Sequence, residues 1–118
     1  GEAPKCGKCG APLLGGAPLE LREDQFDAFV ARTQLPVVAD FWAPWCGPCR
    51  AMAPHFEAAA GRLQSSVRFV KINTEQAPTL AARMGIRAIP TLVLFKNGVE
   101  AKRVSGALDA ASLVQWAA

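Results

Sequence analysis

The stretch Pro36 to Pro54, PVVADFWAPWCGPCRAMAP, decides the fold. Its first seven residues, Pro36 to Trp42, form a β-branched and aromatic run that suits a buried strand, short and nearly continuous in its apolar character. Only Asp40 breaks it. After a turn at Ala43-Pro44-Trp45, Gly47 to Leu63 reads as a long helix with Pro48 in its first turn, where the missing N–H costs nothing. Pro54 falls inside that helix and is expected to kink it.

Working outward, Asp24 is the candidate cap of an upstream helix whose Phe26, Phe29 and Val30 recur at helical spacing, and this helix should end before Pro36. Downstream, Val67 to Ile72 reads as a strand and Glu75 to Met84 as a short helix closed by Gly85. Thr91 to Phe95 is another buried-type strand. Asn97-Gly98 then signals a hairpin, with Val99 to Val104 returning antiparallel. Asp109 caps a last helix with Leu113 and Trp116 on one face. This order of elements implies an α/β sandwich around a mixed sheet.

The chain has 118 residues, enough for one domain and too few for two catalytic modules. Its 51% hydrophobic content supports one core without stapling. The first 18 residues differ from the rest: glycines and prolines crowd around Cys6 and Cys9, which reads as an appendage at 1–18 ahead of a folded domain at 19–118. Thirteen basic residues against ten acidic ones give +3, with no basic run longer than Lys102-Arg103, so neither a nucleic-acid footprint nor a membrane-binding face is expected. No apolar stretch approaches the roughly 20 residues of a membrane span.

The four cysteines fall into two pairs of one form, Cys6-Gly7-Lys8-Cys9 and Cys46-Gly47-Pro48-Cys49. Tight pairs link little chain, so a disulfide framework is disfavoured, and redox chemistry and metal binding remain. Cys46 stands at a helix start, where free N–H groups and the helix dipole stabilise a thiolate. It is the expected nucleophile, and Cys49, one turn on, the resolving thiol. Cys49 must lose its proton inside the protein. Asp40 is the candidate acceptor, because desolvation raises a carboxyl towards neutrality; the alternative is an edge-facing, solvated aspartate. The single histidine, His55, reads as a partly exposed helix residue, and hydrolase triads that need a histidine beside the nucleophile are set aside. No phosphate-cradling glycine motif follows a strand.

Trp42 to Cys49, WAPWCGPC, resembles the active site of the thioredoxin family, and its companions resemble the family too: Asp40 upstream, Pro54 in the helix, Ile89-Pro90-Thr91 before the next strand and Phe95-Lys96-Asn97-Gly98 after it. The resemblance covers roughly Leu19 to Ala118. It implies the thioredoxin fold, α/β with a five-stranded mixed sheet flanked by helices, and protein-disulfide reductase activity through Cys46 and Cys49 with no required cofactor. By resemblance Pro90 is a cis-proline facing the disulfide, which turns the Ile89 backbone towards an extended substrate. Trp45, Gly47, Pro48, Ile89 and Gly106, with Ala88 beside them, form the docking surface. Lys71 matches a family lysine that tunes the buried carboxylate, or is a strand-end surface lysine. The Gly47-Pro48 dipeptide goes with reducing members. Implied partners are disulfide-containing proteins and a thioredoxin reductase; the expected state is a cytoplasmic monomer.

Cys6-Gly7-Lys8-Cys9-Gly10 looks like a zinc knuckle, but it supplies two thiolates where structural zinc takes four ligands. The surrounding run resembles the second half of the zinc module of the thioredoxin 2 type, so the chain is identified as a truncated or processed form of it. Zinc at Cys6 and Cys9 then requires further ligands. The rival reading joins Cys6, Cys9, Cys46 and Cys49 in one four-thiolate interaction module; a redox-inert scaffold is a third.

Overall fold

The computed structural model describes residues 17–118. Nine elements follow in order: β1 (Leu19–Glu20), α1 (Glu23–Arg32), β2 (Val37–Trp42), α2 (Gly47–Arg62), β3 (Arg68–Asn73), α3 (Pro78–Arg83), β4 (Thr91–Lys96), β5 (Val99–Ser105) and α4 (Ala110–Ala117). The strands form one sheet in the order β1-β3-β2-β4-β5. β1 and β2 both run parallel to β3, while β4 is antiparallel to β2 and to β5. The mixed α/β sheet expected from the sequence is therefore present.

Central position explains the apolar run of β2. Alternate side chains of a strand point to opposite faces, and both faces of this one are covered. Val37, Ala39 and Phe41 join Phe26 and Val30 of α1 and Leu80 of α3 in one core. Val38 joins Met52 and Phe56 of α2 and Leu113 of α4 in the other. Aromatic pairs lock each side: Phe26 meets Phe95 edge-on with ring centroids 5.5 Å apart, and Phe56 meets Phe69 at 5.0 Å.

Local signals place most boundaries. Asn97 and Gly98 have φ of 55° and 79°, the two left-handed residues that a tight hairpin needs. Gly85, at φ 68°, ends α3 with the paired bonds of a Schellman motif, Ile86 N–H to Ala81 O at 3.0 Å and Gly85 N–H to Ala82 O at 3.1 Å. Asp109 caps α4, its Oδ1 accepting the Ser112 N–H at 2.8 Å. His55 is an exposed residue of α2 whose Nδ1 accepts the Ala110 N–H at 3.2 Å, tying the two helices of that face together.

Two expectations need correction, and one strand was not foreseen. Asp24 is not the cap of α1: Arg22 is the N-cap, Gln25 Oε1 accepts the Arg22 N–H at 2.9 Å, and Asp24 sits in the first turn paired with the Arg22 guanidinium. α3 begins at Pro78 instead of Glu75, because Thr74 N–H bonds Trp42 O at 2.8 Å and Asn73 Oδ1 captures the Glu75 N–H at 3.0 Å, which holds 73–77 as a loop. Its N-cap residue, Ala77, has no side-chain acceptor, so Glu23 of α1 reaches across and accepts the Leu80 N–H. Finally, β1 has no periodic signature in the sequence. It is two exposed residues held in register with Val70 and Lys71.

At the opposite edge, β5 is exposed along nearly its whole length, and Ala101 bulges where its pairing shifts between Leu94 and Phe95. No helix among the described residues is long and apolar enough to cross a membrane. Replacing the α4 cap, Asp109→Ala, is expected to lower stability by about 1 kcal/mol; urea unfolding should show a lower midpoint with an unchanged slope.

Candidate active site

Cys46 and Cys49 are joined in a disulfide with their Cα atoms 5.2 Å apart. Their position follows from β2 and α2. The strand ends at Trp42, Ala43 O accepts the Cys46 N–H at 3.1 Å to close a turn, and Cys46 becomes the N-cap of α2 with Pro48 in the first turn. Its Sγ accepts the Cys49 N–H at 3.2 Å. Sulfur thus takes the place that a serine or aspartate oxygen usually holds at a helix start. The first turn of α2 contains no acidic residue to compete for the positive helix end.

Both sulfurs belong to buried residues, whereas the Trp45 side chain beside them is 64% exposed. The loop before β4 approaches from the other side. The Ile89–Pro90 peptide bond is cis, and Ile89 O lies 3.7 Å from Cys46 Sγ. Gly106, at φ 103°, donates its N–H to Pro90 O at 2.8 Å and so fastens the end of β5 to that loop. Ile89 thus packs against the cysteine pair and Gly106 is fastened to Pro90 next to it, while Trp45, Gly47 and Pro48, chain neighbours of the cysteines, are exposed.

Asp40 lies on β2, two residues before the strand ends at Trp42. It is 1% exposed, which excludes the solvated edge alternative. The alternation along β2 aims it at the face covered by α2 and α4. Its Oδ1 has no hydrogen-bond partner among the described residues. Burial pushes the Asp40 carboxyl up to about 7, against the opposing pull of the Lys71 charge. Lys71 is the register partner of Asp40 on β3, and its Nζ rests over the Trp42 ring, 4.4 Å from the centroid.

Two contacts of the site were not legible beforehand. Glu75 accepts a hydrogen bond from Trp45 Nε1, and the Thr74 hydroxyl bonds Trp42 O at 3.0 Å, so the loop after β3 steadies both tryptophans that flank the motif. The signal available was Asn73-Thr74 at the strand end, a pair prone to side-chain-to-backbone turns. Cys6 and Cys9 lie outside the described residues.

The sequence model of thioredoxin matches residues 17–118. This chain belongs to the thioredoxin family. Thioredoxin C-3 of Corynebacterium nephridii is 48% identical over 113 residues, which cover 96% of this chain and 77% of that one. The thioredoxin of Porphyra purpurea is 47% identical over 94 residues, 80% of this chain and 88% of its own. A chloroplastic M-type thioredoxin of Chlamydomonas reinhardtii is 42% identical over 95 residues, 80% of this chain and 68% of its own. With the Cys46–Cys49 pair in the family's active-site position, the protein is a thiol-disulfide oxidoreductase acting on protein disulfides. Its redox electrons reside in the sulfur pair itself, so the thioredoxin reaction needs no cofactor.

The raised Asp40 carboxyl has a direct consequence for stability. Unfolding returns it to a normal carboxyl near 3.8, so the unfolded chain binds fewer protons than the folded one between about pH 4 and 7, and stability falls with rising pH across that window. Asp40→Asn should therefore stabilise the oxidised protein at pH 8 by about 4 kcal/mol, from roughly three units at 1.36 kcal/mol each, with the advantage shrinking towards pH 4. Denaturant titrations of both proteins at pH 4, 6 and 8 provide the measurement.

Proposed function

We propose that this chain works as a reducing thioredoxin in which Cys46 attacks, Cys49 resolves and Asp40 accepts the resolving thiol's proton. The observation that carries this division is the capping bond from Cys49 N–H to Cys46 Sγ, since it stabilises negative charge on the first sulfur and not on the second. The Cys46 thiolate attacks one sulfur of a substrate disulfide, forming a mixed disulfide and releasing the other substrate sulfur as a thiolate. Cys49 then gives its proton to Asp40 and attacks Cys46 Sγ. The Cys46–Cys49 bond forms, the mixed disulfide breaks, and the second substrate thiolate leaves. Two electrons have passed from the dithiol to the substrate.

Substrate docking is assigned to Trp45, Gly47, Pro48, Ile89, Pro90 and Gly106. Their adjacency to the sulfurs, along the chain or through Ile89, supports this reading, and Ile89 O, 3.7 Å from Cys46 Sγ, stands where a paired extended peptide would bring its disulfide. Lys71 tunes Asp40 through its charge. A thioredoxin reductase restores the dithiol with two electrons and two protons, and the working form is a cytoplasmic monomer. Residues 1–18 are read as an appendage to the domain at 19–118. The Cys6 and Cys9 pair is similar to half of the zinc module of the thioredoxin 2 type and would hold a structural zinc only with further ligands supplied.

Reduced protein should reduce insulin disulfides. Cys46→Ser should abolish that activity and Cys49→Ser should accumulate a mixed disulfide with substrate; full turnover by Cys46→Ser would sink the assignment. Asp40→Asn is expected to slow turnover at pH 7 about tenfold or more and to erase the rate inflection near neutrality, with substrate KM little changed. An unaltered pH profile removes Asp40 as the acceptor. Metal analysis of the chain tests this: with Cys6 and Cys9 as the only pair offered, no stoichiometric zinc is expected, and insulin reduction should survive Cys6→Ser.

A further inference from the structure

Lys71 and Asp40 are direct partners in the register of β2 and β3, the arrangement in which opposite charges normally meet. They form no ion pair within 4 Å among the described residues. The Lys71 ammonium instead stands over the ring of Trp42, 4.4 Å from its centroid, and Asp40 Oδ1 is left without a partner. Trp42 is two residues beyond Asp40 on β2, so both side chains leave the same face of the strand. The ring also packs against the cluster of Ala43, Cys46 and Cys49.

We infer that Trp42 is a positioning residue: its ring holds the Lys71 ammonium by a cation–π contact and keeps it from closing an ion pair with Asp40. The inference rests on the reading of Asp40 as proton acceptor. A carboxylate paired to a lysine is stabilised in its charged form and becomes a weak base; the same lysine held on a neighbouring ring exerts only a partial, more distant pull. The ring face is a sufficient competitor because a desolvated cation–π contact is comparable in strength to a partly exposed ion pair.

Among the described residues, Lys71 is the one charge found to pull on Asp40. β4 presents Leu92 beside Asp40. The buried side of α2 presents Cys49, Met52 and Phe56, while Arg50, His55, Glu57 and Arg62 are exposed. α4 contains no ionisable side chain. Lys102 of β5, on the same side of the sheet, rests over the Trp116 ring 5.0 Å from its centroid, and Cys49 is silent in the disulfide state.

The test follows the Asp40 side-chain carboxyl by NMR against pH in the oxidised full chain, in a double-mutant cycle of Trp42→Leu and Lys71→Met. Lys71→Met should raise the titration midpoint. Trp42→Leu should lower it by about half a pH unit, Trp42→Phe by less, and Trp42→Leu should leave it unmoved once residue 71 is Met. An equal lowering in both backgrounds overturns the inference, since the ring would then act by excluding water from Asp40. So does a midpoint insensitive to Lys71→Met, or one that Trp42→Leu does not lower. Where leucine is not tolerated, the cycle is run with Trp42→Phe. These midpoints report the location of the Lys71 charge whether or not Asp40→Asn alters turnover, so failure of the base assignment and failure of this inference are read separately.

Discussion

Everything in the site depends on a strand that is buried on both faces. β2 lies third of five in the sheet, with α1 and α3 on one side and α2 and α4 on the other. Such a strand has to be almost wholly apolar, and it is rigid because its alternate residues pack into a layer on each face. Rigidity is what the chemistry uses. The end of β2 fixes the turn at Ala43, the turn fixes Cys46 at the start of α2, and the disulfide is held against the Ile89 carbonyl. The carboxylate of Asp40 is the one violation of the apolar rule, and the same burial that makes it costly brings its protonation into the neutral range.

Two electrostatic settings therefore come from one scaffold. At the upper end of the site, a helix terminus free of acidic side chains offers its N–H groups to Cys46. On β2, a carboxyl surrounded by hydrocarbon favours its neutral form. The first setting stabilises an anion and the second resists one. Because both are properties of backbone and packing, they are present before any substrate arrives.

The sequence made most of this legible where a residue type has a single structural use. Asn97-Gly98, Gly85 and Asp109 each specify a backbone geometry, and each is found performing it. Asp40 stood out because it interrupts an apolar run, and its burial bears out that expectation. Asp24 and Glu75 lost their expected places to local competitors, Arg22 and Asn73, while the other misses are contacts between elements distant in sequence. Glu23 capping α3, Glu75 holding Trp45 and Lys71 resting on Trp42 join residues 57, 30 and 29 positions apart, and nothing in their local pattern announces it. β1 was illegible for another reason. Two exposed residues have no periodicity, and only the backbone of β3 makes them a strand.

The two edges of the sheet, so different in length, bear on how a protein that handles extended chains avoids being captured by them. An open strand edge is a template for any unfolded polypeptide. β1 offers only two residues for such pairing. β5 is longer, but it is interrupted by the bulge at Ala101 and studded with Glu100, Lys102 and Arg103, whose charges would have to be stripped of water by an incoming strand. Val99 is its one large apolar residue in the open, 68% exposed and at the very tip of the hairpin. Unproductive strand exchange is thereby discouraged along both flanks, and the unguarded backbone that remains is the short loop carrying Ile89, directly over the sulfur.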